Sequence, residues 1–169
     1  MPPFVYSLML HGVLGAIDVI LNHELLARIP SRPNGATEER LHCARELIFA
    51  ALFASLAWFE WQGQWVWWIV ALILGEVLVS ARDVVVEGDT RVLPVPERVL
   101  HLFLFMNLGV LAVLTGHRLM WWYFSPTALV PVHYGWASWV LSAMAVGAFA
   151  WAVRDGLAAR RLARGGVPA

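Results

Sequence analysis

Five apolar runs, near residues 4–26, 38–59, 65–87, 97–115 and 134–155, constrain this chain more than any other feature. About 20 consecutive, mostly apolar residues cross the hydrocarbon of a bilayer. Within lipid a helix satisfies its own backbone, whereas an open strand or loop does not. Hydrophobic residues make up 60% of the chain and charged ones 14%. A soluble domain has about half and about a quarter. The fold expected is an all-α, polytopic membrane bundle of about five transmembrane helices in a single integral membrane domain. Its core bundle covers 4–115, an additional helix covers 134–155, and a short Arg-rich tail covers 156–169. The segment "GHRLMWWYFSPTALVPVH" between the last two spans, with its aromatics and prolines, is expected to lie at the headgroup level.

Arginine orients the bundle. The chain has no lysine, so all basic residues are Arg and Schiff-base chemistry is excluded. Arg28, Arg32, Arg40 and Arg45 surround the first connection; Arg82, Arg91 and Arg98 surround the third; Arg154, Arg160, Arg161 and Arg164 follow the last span. With five spans these all fall on one side, and only Arg118 falls on the other. The positive-inside rule then predicts a multi-pass protein of a bacterial-type inner membrane, N-terminus outside and C-terminus cytoplasmic. The N-terminus lacks the basic region of a signal peptide and is read as a mature span. One cysteine, Cys43, permits no internal disulfide, and a net charge of zero gives no reason to expect nucleic acid as a partner.

Charge inside the spans is the unexpected feature. "HGVLGAID" leads through "NHEL" and a proline-containing loop to "EERLH"; "GEVLVSARD" leads through "VVVE" and a second such loop to "PERVLH". The two stretches read as a degenerate helical-hairpin repeat. His11 and Asp18 are seven residues apart, as are Glu76 and Asp83, so each pair shares a helix face about 10 Å long. Glu87 extends the second stripe. Glu39, His42 and Glu46 form a third, and Glu97 and His101 a fourth. Asp18, His42, Glu46, Asp83 and His101 should lie about 5–10 Å inside the cytoplasmic mouth, with His11 and Glu76 deeper. Each such residue costs about 2.5–3.5 kcal/mol in hydrocarbon. Carboxylates gathered in a dry site also repel one another, and divalent cations remove that conflict. Facing carboxylates and imidazoles are ligands for iron, manganese or zinc.

The pattern resembles the di-iron carboxylate four-helix proteins, in a membrane-embedded form. Glu39-Arg40-Leu41-His42 matches their Glu-x-x-His, with Asp18 and Asp83 as acids from the other helices. Glu97-x-x-x-His101 is one residue too long, and acids are in surplus. The resemblance covers residues 11–101 and implies a di-metal site, with iron as the expected ion and zinc or manganese as alternatives. The metal-ligand set is therefore His11, Asp18, Glu39, His42, Glu46, Glu76, Asp83, Glu87, Glu97 and His101, with His23 and Glu24 at its margin. His23 falls off the Asp18 face of an α-helix.

Plainer readings compete. Glu38, and to a lesser degree Glu39 and Glu97, suit the positive end of a helix dipole. Arg45, Arg82 and Arg98 could neutralise buried acids without any metal. The function expected is an oxidoreductase acting on a lipid-like or quinone-like molecule and drawing on an electron donor. The alternative is metal binding, transport or sensing. A zinc-dependent hydrolase and a bis-His haem protein using His42 and His101 are lesser alternatives. Membrane lipid or a lipid-soluble small molecule is the partner expected, with a homo-oligomer as a further option.

Overall fold

The computed structural model describes residues 1–165. Five long helices form the bundle: α1 (Pro3–Ile17), α2 (Ala36–Trp58), α3 (Val66–Thr90), α4 (Val95–Tyr123) and α5 (Trp136–Ala163). α1 does not stop at Ile17 but continues as a π-helix, Asp18–Ala27. Four of the five are long and apolar enough to cross a membrane. The exception is α3, whose sequence from Val66 to Asp83 contains Glu76, Arg82 and Asp83. Its polarity belongs to the buried cluster described below.

Two elements run longer than the apolar periodicity predicts. α4 continues through "GHRLMWWY", because nothing breaks the helix before Ser125-Pro126. Trp122 is buried within the bundle and packs edge-on against Phe4, while Trp121 and Tyr123 beside it are exposed. α5 likewise continues through Ala163, so most of the expected tail is helical; residues 166–169 lie outside the described residues. Between the spans, β1 (Phe59–Gln62) pairs antiparallel with β2 (Ala128–Pro131), Phe59 opposite Pro131. This short ribbon ties the α2–α3 connection to the α4–α5 connection at one end of the bundle.

The interior is divided along its length. Towards the ribbon it is apolar: Phe4, Leu8, Leu52, Phe53, Leu56, Ile69, Leu111 and Leu141 form one cluster. Towards the opposite end it is polar, with Asp18, His23, Glu38, His42, Glu76, Asp83, Glu87, Glu97 and His101 all buried. α1 packs chiefly on α4, while α2 packs on α3 and, along most of its length, on α5. The turn into α2 is tight: Arg28 has φ 50°, and a Cβ on Gly35 would lie 2.6 Å from the Ile29 carbonyl oxygen. The turn swings α2 back so that its first residues face the end of the π-helix.

A buried histidine–carboxylate cluster

Each helix delivers its polar residues by a spacing fixed in the sequence. On α2 and α4 the working spacing is four: Glu38 and His42 on one, Glu97 and His101 on the other. On α3, Glu76, Ser80, Asp83 and Glu87 follow one face at intervals of three and four. The π-helix is the special case. Its hydrogen bonds run five residues back, and the Arg28 N–H donates to the His23 carbonyl in this way. The wider turn brings His23 round onto the face of Asp18. His23 Nε2 lies 3.5 Å from Asp18 Oδ2, and Asn22 donates to Asp18 Oδ1 at 2.7 Å.

The two hairpins exchange partners. His101 of α4 meets Asp18 of the first hairpin at 3.1 Å, and His42 of α2 lies 3.5 Å from Asp83 of the second. His23 stands between them, stacked on His42 with ring centroids 4.2 Å apart and edge-on to His101 at 6.3 Å. Its Nε2 is 3.6 Å from Glu97 Oε1. Among the described residues neither nitrogen of His23 finds a hydrogen-bond partner, although the residue is only 4% exposed. A buried imidazole with both nitrogens unpartnered has a lone pair to offer an ion or a water.

Two sets of donors come together here. His23, Glu87, Glu97 and His101 form one and Glu38, His42 and Glu87 the other; within each set the ligand atoms lie within 4.8 Å of one another. Ligands on opposite sides of an ion at about 2.1 Å are about 4.2 Å apart, so the sets are close to ligating size. Glu87 belongs to both.

Arginine neutralises part of the charge. Arg45 bonds Glu76 at 3.2 Å and Asp83 at 3.1 Å, and Ser80 also donates to Glu76. Arg91, at the C-terminus of α3, donates to Glu38 and Glu97 at 2.6 Å each and to Glu87 at 3.3 Å. It thus clamps the first turns of α2 and α4 together. Burial opposes its charge, but Glu97 and Glu38 outweigh that and hold the guanidinium above its ordinary pKa. Arg82 and Arg98, the neutralising partners expected alongside Arg45, are exposed. Six buried carboxylates (Asp18, Glu38, Glu76, Asp83, Glu87 and Glu97) face two guanidinium groups, a formal surplus of four acids.

Several expected ligands lie elsewhere. His11 hydrogen-bonds Asn107 at 3.2 Å and stacks on Phe49, 4.4 Å between centroids. Glu76 is held by Arg45 and Ser80. Glu24 pairs with Arg154 of α5. Glu39 and Glu46 are turned about α2 towards Asp155, because a helix rotates by about 100° per residue and Glu38 holds the face assigned to Glu39. Glu38 and Arg91 are the residues that sequence reasoning missed. The signal for Glu38 was its four-residue spacing to His42, the same as in Glu97-x-x-x-His101.

A polar cavity of about 240 Å³, lined by Arg32, Asn34, Glu38 and Thr90, adjoins the cluster at this end of the bundle. Fold and cluster define the class: a multi-pass membrane helical bundle with a buried His/Glu site suited to a divalent metal. Compared with known proteins, the chain matches no family model, no curated protein and no solved structure. Function is therefore argued from the chemistry of the site.

Proposed function

We propose that this protein is a membrane metalloprotein holding two divalent ions, iron first among them, with Glu87 as the carboxylate common to both. Its activity is that of an oxidoreductase on a lipid-soluble substrate. The observation that carries the reading is His23, an imidazole buried without a hydrogen bond among the described residues and belonging to one of two donor sets that share Glu87. The charge balance agrees, since two divalent ions supply the four positive charges that Arg45 and Arg91 leave wanting. His23, Glu87, Glu97 and His101 would hold one ion, and Glu38, His42 and Glu87 the other. Asp18 and Asp83 would accept from His101 and His42, fixing ring orientation as outer carboxylates do in metal sites. Redox-active ions in such a site supply one-electron chemistry to a bound substrate. The haem alternative has less support, because His23 stacks directly on His42 where a porphyrin face would need to lie.

Arginine placement supports an orientation with the cluster on the cytoplasmic side and the ribbon outside. Elemental analysis of detergent-purified protein tests the centre. Two equivalents of a divalent transition metal are expected, falling to one or none in Glu87→Gln, which keeps shape and removes charge. A metal-free wild type that stays empty after addition of ferrous, manganous and zinc salts would refute it.

A further inference from the structure

A second cavity reaches the cluster from the side of the bundle. It has a volume of about 280 Å³ and lies between α1 and α5, with α2 as its floor. Its mouth is framed by Ala16 and Ile20 of the first span and Gly147 of α5, all on the exposed surface. Its walls include Phe49, Phe53, Leu104 and Met144, and its inner end is Asp18, His23 and His42. Small residues keep it open where the helices diverge. A Cβ on Gly12 would lie 2.9 Å from both Met144 Sδ and Phe53 Cζ, so these two side chains would have to shift to admit it.

Both helices at the mouth are long and apolar enough to cross a membrane. In a bilayer that both cross, the mouth between them opens beside hydrocarbon chains. The volume is about twice that of a 150 Å³ apolar cavity that takes up benzene. That is room for a stretch of one chain. We propose that the cavity binds one hydrocarbon chain of a lipid-soluble molecule, which enters sideways between α1 and α5 and ends beside His23 and His42. The inference deepens the oxidoreductase reading by naming its substrate as a long-chain aliphatic, and it rests on that reading only for what happens at the inner end.

The test is photolabelling of the full chain with a diazirine-bearing palmitic acid, with adducts mapped by mass spectrometry. Adducts are expected on Phe49 and Phe53, which are 8% and 3% exposed and are reached through the cavity. Excess oleate or geranylgeraniol should reduce them, and the stronger competitor identifies the chain as unbranched or isoprenoid. Gly147→Leu adds a side chain at the mouth where nothing stands within 4 Å of the new Cβ. It should cut labelling of Phe53 at least tenfold, while Gly109→Leu on the outer face of α4, equally unobstructed, should not. Labelling confined to outward residues such as Leu102 and Phe103 would overturn the proposal. So would labelling that neither competitor lowers, or that Gly147→Leu leaves unchanged. Metal content is read on the same samples. A chain that labels at Phe53 in protein unable to take up metal would sink the metal centre and keep the cavity assignment; a loaded centre without labelling would do the reverse.

Discussion

Arg91→Gln separates an arginine-neutralised acid network from a metal centre. The guanidinium touches Glu38, Glu87 and Glu97 at once, and its side chain is 3% exposed. Removing one partner of a buried ion pair costs about 3–5 kcal/mol, because the remaining charge stays buried without compensation. Here three carboxylates lose their clamp, so the upper part of that range applies to metal-free protein. For a chain of this length each kcal/mol moves the midpoint by roughly 2–4 °C, a fall of about 8–20 °C. Metal works in the opposite direction. A ligand at 100 times its Kd stabilises by about 2.7 kcal/mol, so two ions return about 5 kcal/mol. The assay is thermal unfolding in detergent, with chelator and with a ferrous or manganous salt. The variant should melt far below wild type when both are in chelator, and a metal salt should raise the variant by most of that difference. A variant whose midpoint metal does not raise would mean that Arg91, and not an ion, is what the carboxylates exist to bind.

Three further outcomes follow from the same geometry. Glu38→Ala should lower metal content as much as His42→Ala does, measured by elemental analysis; an unchanged content would return Glu38 to the helix dipole. His11→Ala should leave metal content at the wild-type level and cost about 1–3 kcal/mol through the one Asn107 N–H that loses its acceptor, the bonds of Asn107 to Ser7 remaining, read by thermal unfolding. Reporter fusions after residue 30 and at the C-terminus should both report cytoplasm, and a periplasmic signal from either would invert the orientation.

The bundle was legible in the sequence because lipid leaves few alternatives to a long apolar helix, and the run lengths mark the spans directly. The face of α4 bearing Glu97 and His101 was also legible, since an α-helix makes that spacing unambiguous. Glu38 was not, because a carboxylate in a helix's first turn has a sufficient local explanation in the dipole. His23 was hidden for a different reason. The positions of its face were counted at α-helical periodicity, and no residue in "DVILNHELLA" announces a π-helix. Arg91 reads as a loop residue and a topology marker until the turn folds it back beneath two helix starts. Asp155 sits in a segment whose sequence resembles an ordinary helix end, and only its packing against α2 buries it.

The ribbon between β1 and β2 acts as a pivot. It couples both hairpins at one end of the bundle, while the carboxylates sit at the other end of long levers. From Val66 to Glu87 the helix rises about 32 Å. A tilt of about 1° at the ribbon therefore shifts Glu87 by about 0.6 Å, enough to alter the fit of a carboxylate to an ion held at about 2.1 Å. Loading and emptying of the site thus require no repacking of the apolar interior beside the pivot.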